Sequence, residues 1–166
     1  LFYQHNPGGI DWGEISWGHA KSGDLFHWEQ LPLALSPDRV HGMAFSGSTI
    51  IDHRNSSGLF GGPGGLVAIF TSFSADRGEL GSQYQSLAYS RDGGITWELY
   101  EDNPIIENHG ARDFRDPKVF WHNESDSWVL LLAHGDEVLF YRSRDLLEWS
   151  YNSAFGRGEG SHVGIW

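Results

Sequence analysis

Ser22-Gly23-Asp24-Leu25-Phe26-His27-Trp28 returns as Ser90-Arg91-Asp92-Gly93-Gly94-Ile95-Thr96-Trp97, and again as Ser143-Arg144-Asp145-Leu146-Leu147-Glu148-Trp149. The middle copy is longer by one residue. A Ser-x-Asp pair offers side-chain oxygens to the amides of its own turn, which fixes a tight reversal. Apolar strands lead into the second copy (Ser86-Leu87-Ala88-Tyr89) and the third (Leu139-Phe140-Tyr141). Each copy therefore predicts a hairpin, its Trp on the returning strand folded back onto the sheet. The copies begin at 22, 90 and 143. That spacing suits one four-stranded propeller blade with its loops, roughly 40–50 residues or more. The hairpins are read as the last two strands of successive blades. The alternative is three similar hairpins in a β-sandwich, a fold that needs no such period.

Outward from the repeats, apolar stretches are short and bounded by turn signals. They are Phe45–Ile51, Leu66–Phe73, Gln85–Tyr89, Lys118–His122, Trp128–Ala133 and Val138–Tyr141. Their Val, Ile, Phe, Tyr and Trp suit a pleated sheet. No window sustains a helical i, i+3, i+4, i+7 pattern, so the class is all-β. Gly58–Gly65 and Ala75–Ser82 read as surface loops, and neither marks a domain boundary. A propeller needs typically 4–8 blades, so three hairpins predict an incomplete ring. Leu1-Phe2-Tyr3-Gln4 and His162-Val163-Gly164-Ile165-Trp166 both read as strand, where domains usually end in polar segments. The expectation is a single incomplete domain over 1–166, cut at both ends, with aggregation-prone blade edges.

The chain carries 22 Asp plus Glu against 11 Lys plus Arg and no cysteine. Acidity argues against nucleic acid or an anionic membrane as partner, since both favour basic patches. Without cysteine there is no disulfide framework, thiolate nucleophile or thiolate metal site. No apolar run suggests a membrane span. The nine histidines show no metal-ligand spacing. Gly61-Gly62-Pro63-Gly64-Gly65 lacks the Lys and the helix of a phosphate loop. Neither a metal nor a cofactor is expected. Two glycosylation sequons, at Asn55 and Asn123, are compatible with a secreted protein.

Phe114-Arg115-Asp116-Pro117 is the segment most suggestive of chemistry. Pro117 disfavours helical backbone at Asp116 and predicts it to be extended. Pro also suits the first position of a strand. Asp116 is thus expected at a strand entrance, where a propeller blade can face the central channel. Arg115 beside it is expected to keep the carboxylate ionised.

An ordered set of motifs surrounds that segment. Leu1-Phe2-Tyr3-Gln4-His5-Asn6-Pro7 is followed by Trp12-Gly13 and Trp17-Gly18-His19-Ala20. Next come Asp24-Leu25, His27-Trp28-Glu29, Leu31-Pro32 and Phe45-Ser46-Gly47-Ser48. Gln85 to Ser90, Asn103-Pro104-Ile105-Ile106 and Phe114 to Val119 complete it. In this order they resemble glycoside hydrolase family 32, the invertases, exo-inulinases and levanases, and look closest to the fungal secreted members. The middle repeat also resembles the Asp-box turn of sialidase-like propellers.

The resemblance implies a five-bladed β-propeller, about three blades of it present, with the active site in the central funnel. It implies a retaining hydrolase that releases fructose from fructosyl oligo- or polysaccharides, secreted from the cell. Asp116 would stabilise the oxocarbenium-like transition state. Gln4 and Trp12 would line the fructosyl pocket, Phe45 and Ser46 its rim, and Arg115 would orient Asp116. The family's nucleophilic Asp and acid/base Glu have no counterpart here, since Asn6-Pro7-Gly8-Gly9 holds no Asp and Gly164-Ile165-Trp166 ends before the Glu motif. One carboxylate cannot run a double displacement. The chain alone is therefore expected to be inactive. A fructosyltransferase on the same scaffold and a non-catalytic carbohydrate-binding propeller are the other readings.

Overall fold

The computed structural model describes residues 1–75 and 82–158. Of the loop expected over 75–82, residues 76–81 lie outside the described residues, as does the strand expected at 162–166. Among the described residues eleven strands form three antiparallel sheets, with one short 3₁₀ turn at Asn123–Ser125. The first sheet holds β1 (Phe2–His5), β2 (Ser16–Lys21) and β3 (Glu29–Gln30). The second meanders through β4 (Met43–Asp52), β5 (Gly65–Ser74), β6 (Ser82–Ser90) and β7 (Glu98–Leu99). The third does the same through β8 (Arg115–His122), β9 (Ser127–His134), β10 (Glu137–Ser143) and β11 (Ser150–Phe155). All six expected strands are present, each extended by one or more residues at its ends.

Each repeat joins the last two strands of its sheet: β2–β3, β6–β7 and β10–β11. In the first, Ser22 Oγ accepts from the amides of Asp24 and Leu25, at 3.2 and 2.8 Å. Asp24 Oδ1 accepts from those of Phe26 and His27, at 2.9 and 2.8 Å. The Trp28 indole closes the turn onto the Leu25 carbonyl at 3.0 Å. Ser143, Asp145 and Trp149 repeat this bond for bond, with Trp149 on the Leu146 carbonyl at 2.9 Å. The geometry puts Leu25 and Leu146 at φ 67°, which is strained for a side chain with a Cβ. In the longer middle copy the equivalent residue is Gly94, at φ 94°, where the strain vanishes. Here Asp92 takes the Thr96 amide and hydroxyl, which hold its carboxylate down to about 2.

The second sheet lies between the other two, so its central strands are buried on both faces. Ala68, Phe70 and Ala88 pack against Trp17 and Leu35 of the first sheet region. The alternate residues Val67, Ile69 and Leu87 pack against Phe114, Val119, Leu130 and Leu132 of the third. This is the period of two of a strand. Each fully buried Val, Leu or Ile contributes about 1.5–3 kcal/mol. Polar seams add register: the Val119 amide of β8 donates to Ser48 Oγ of β4 at 3.0 Å. Successive meanders stacked face to face are the arrangement of propeller blades. β3, β7 and β11 are the returning strands of the three expected hairpins; β3 and β7 span two residues each, and β11 is exposed throughout. Their pairing partners define them, not an apolar pattern.

Candidate active site

β4 and β8, the first strands of neighbouring sheets, lie side by side. Each breaks its ladder near its start. In β4 the register shifts between Ala44 and Gly47, and in β8 between Arg115 and Lys118. Such bulges release residues from pairing and re-aim their side chains. The residues released are Phe45 and Ser46 in one strand, Asp116 and Pro117 in the other. The Gly47 backbone sits so close to β5 that a Cβ there would meet the Ile69 carbonyl oxygen at 2.2 Å.

The first sheet braces the β4 bulge. Gln4 Nε2 donates to the Ala44 carbonyl at 3.2 Å, and Trp17 Nε1 to the Phe45 carbonyl at 2.8 Å. Phe45 stacks on Phe73 at 4.9 Å with the rings 4° from parallel, and Trp12 meets the Phe73 edge at 6.5 Å. These elements enclose an open cavity of about 340 Å³ lined by Gln4, Trp12, Ile15, Phe45, Ser46, Arg115 and Asp116. All six residues singled out in the sequence therefore face one space. Ile15 was not among them. It sits next to the buried β2 strand, and only its position at the cavity wall distinguishes it.

Two expectations about Asp116 are corrected. Its backbone is not extended but left-handed, at φ 60°. The bulge turns the chain here, and Thr71 Oγ1 accepts the Asp116 amide at 3.0 Å. Nor does Arg115 dominate the carboxyl. Burial pushes the Asp116 carboxyl above the ordinary range, Arg115 opposes this, and Asp113 adds to it. The distances explain the balance, since Arg115 Nε lies 4.0 Å from Asp116 Oδ2 while its Nη2 lies 3.3 Å from Asp113 Oδ1. The guanidinium is shared.

Among the described residues no three His, Asp or Glu side chains gather as metal ligands. The two sequons differ in setting. The Asn55 side chain is clamped by both the amide and the carbonyl of Phe60, at φ 51°. Asn123 is exposed at the start of the 3₁₀ turn.

The cavity thus offers aromatic walls beside a carboxylate and an amide, the mix of apolar lining and a few placed polar groups that small-molecule sites use. The model of the glycosyl hydrolases family 32 N-terminal domain matches residues 1–166. The chain belongs to that family. It is 52% identical to the levanase of Bacillus subtilis over its whole length, which is 24% of that relative. It is 43% identical to the extracellular exo-inulinase of Aspergillus awamori, again over its whole length, 35% of that relative. The bacterial enzyme thus shares more of the sequence than this fungal one. The crystal structure of the Aspergillus awamori exo-inulinase superposes with a TM-score of 0.83 at 42% identity, over 94% of this chain and 34% of the other. A β-fructofuranosidase from Schwanniomyces occidentalis, complexed with fructosyl-erythritol, gives 0.85 at 38% identity, over 93% and 30%. The chain spans about a quarter to a third of the length of these relatives.

Proposed function

We propose that this chain is part of the catalytic propeller of a retaining glycoside hydrolase that releases fructose from β-fructosides of the sucrose, inulin or levan type. The observation that carries the reading is the convergence of Gln4, Trp12, Phe45, Ser46, Arg115 and Asp116 on one cavity. The names of the relatives, levanase and exo-inulinase, support the fructosyl substrate. In this reading ionised Asp116 accepts the fructosyl hydroxyls and offsets the positive charge that develops at the anomeric carbon. Arg115 orients it. Gln4 bonds the sugar, Trp12 and Phe45 wall it, and Ser46 sits at the rim. The nucleophile and the acid/base belong to parts of the parent enzyme outside 1–166, so the isolated chain releases no fructose.

The test is Asp116→Asn in the full-length enzyme. Turnover on sucrose, inulin and levan should fall about 10²–10³-fold, the scale of losing one electrostatic stabiliser, with an unchanged circular dichroism spectrum. Unchanged turnover would remove Asp116 from the mechanism. Incubation with sucrose alone separates hydrolysis from transfer, since growing oligofructosides indicate a fructosyltransferase. A coding sequence without Asp upstream and Glu downstream, within ~50 codons or about one blade, would favour a non-catalytic binding propeller. The extracellular fungal relative supports a secreted parent enzyme. Exposed Asn123 is the glycosylated sequon in a eukaryotic secretory host, and clamped Asn55 is the poorer acceptor. Peptide mass spectrometry reads both.

A further inference from the structure

The face of β5 and β6 that packs on the third sheet changes character along its length. Val67 and Ile69 lead to Thr71, and opposite them Leu87 leads to Gln85 and Gln83. Thr71 and Gln85 are cross-strand partners with no exposed surface, and Gln83 is 8% exposed. Three polar side chains in a sealed, otherwise apolar interface need partners. They find them in one short segment of the neighbouring sheet. The Phe114 amide donates to Gln83 Oε1 at 2.9 Å. Gln85 Nε2 donates to the Phe114 carbonyl at 2.7 Å. The Asp116 amide donates to Thr71 Oγ1 at 3.0 Å, and that hydroxyl donates onward to Gln85 Oε1 at 3.0 Å.

The chain of donors has a single direction. Gln85 must accept at its oxygen and donate at its nitrogen, so Thr71 must give its proton to Gln85 and present a lone pair to Asp116. Three backbone groups within three residues are thereby held by side chains of another sheet. The last belongs to Asp116, whose left-handed φ of 60° persists only where the surroundings over-determine it. The Asp116 carboxylate hangs from that backbone, half-buried at the cavity wall.

We propose that Thr71 and Gln85 are positioning residues that set the Asp116 carboxylate in the cavity by holding its backbone in the left-handed conformation. The proposal rests on the catalytic role assigned to Asp116 above. A purely structural clamp would support the fold and leave the chemistry alone, and the two are separated by a cycle in the full-length enzyme. Thr71→Val keeps the shape and removes the hydroxyl. It should lower kcat on sucrose ~10- to 100-fold, the scale of a displacement of about 1 Å, while KM moves less than about three-fold. Thr71→Ser restores the hydroxyl and should return kcat to within about three-fold of wild type. In an Asp116→Asn background, Thr71→Val should cost little further turnover, because the group it positions is already disabled.

Equal kcat losses from Thr71→Val in both backgrounds would overturn the proposal and leave a structural clamp. So would an unchanged kcat in Thr71→Val while Asp116→Asn is impaired, which leaves the role of Asp116 intact. An unimpaired Asp116→Asn would instead overturn the role of Asp116, and the positioning with it. If Thr71→Val does not fold, Gln85→Met runs the same cycle, preserving side-chain length without the amide.

Discussion

Asp52 ends β4 without any exposed surface. Its Oδ1 accepts from the amide and hydroxyl of Ser56, both at 2.9 Å, and its Oδ2 from those of Ser57, at 2.9 and 2.8 Å. Ser56 Oγ in turn accepts the Trp128 indole at 2.9 Å, which ties the turn to the third sheet. Asp52→Ala strips four donors of their acceptor. The two hydroxyls can re-aim, but the two amides cannot. At about 1–3 kcal/mol for each amide left without a partner, the loss is about 2–6 kcal/mol. Asp52→Asn keeps an oxygen for Ser56 and turns an NH₂ toward the Ser57 amide, so the expected loss is about 1–3 kcal/mol. At about 2–4 °C per kcal/mol for a domain of 150–250 residues, the Ala variant of the full-length protein should melt at least about 4 °C lower. Thermal unfolding followed by tryptophan fluorescence is the assay. Burial alone would raise the Asp52 carboxyl, but the Ser57 and Ser56 bonds together outweigh it and hold the group below its ordinary value. The stabilisation is therefore complete above the unfolded value of about 3.9 and is lost as pH falls through the lower folded value. The gap between wild type and Asp52→Ala should hold from pH 7 to about pH 4 and narrow below that. A melting shift below about 1 °C, or a gap as wide at pH 2 as at pH 7, would refute the reasoning.

Three further outcomes are expected of the full-length protein. Leu25→Gly and Leu146→Gly both relieve a left-handed residue, worth about 1–2 kcal/mol, and both add about 0.5–1 kcal/mol of backbone entropy cost. Leu25 is 75% exposed and Leu146 fully buried, so the first should be neutral to about 1.5 kcal/mol stabilising. The second, losing a buried side chain worth about 2–5 kcal/mol, should be destabilising. Melting shifts of the same sign and size would contradict the burial contrast between the two turns. Gly47→Ala drives a Cβ into the β5 backbone, where no side chain can swing aside, and should cost about 1–3 kcal/mol or more. A wild-type melting temperature would show that the bulge closes differently. Asp116→Asn should stabilise the fold at pH 7. With the folded carboxyl raised, the protonated form is the one the fold favours, and its stability is lost as pH rises through the folded value. The advantage of Asn should vanish below about pH 4, and a variant less stable than wild type at pH 7 would argue against burial as the dominant influence.

What the sequence alone determined was local. The Ser-x-Asp turns close within seven or eight residues, so their oxygens, amides and indole are all visible in one stretch of text. The long buried strands carry enough Val, Ile, Leu and aromatics to announce themselves. The ordered motifs marked Gln4, Trp12, Phe45, Ser46, Arg115 and Asp116 through family resemblance, which implied that they share one pocket without giving its geometry. The residue types themselves do not place them together; that they line one cavity depends on how β1, β4 and β8 stack. Only the tertiary structure decided the two bulges, since a bulge is a mismatch between paired strands and has no existence in a single one. Pro117 suggested an extended Asp116, yet a hydroxyl from another sheet and the bulge impose the left-handed form. Arg115 suggested a carboxyl held low, yet burial raises it, Arg115 only partly opposes this and Asp113 adds to the rise. Desolvation and long-range hydrogen bonds are properties of the packed molecule. The switch from Val67 and Ile69 to Thr71 was legible as polarity in a strand, but its partners on β6 and β8 were not.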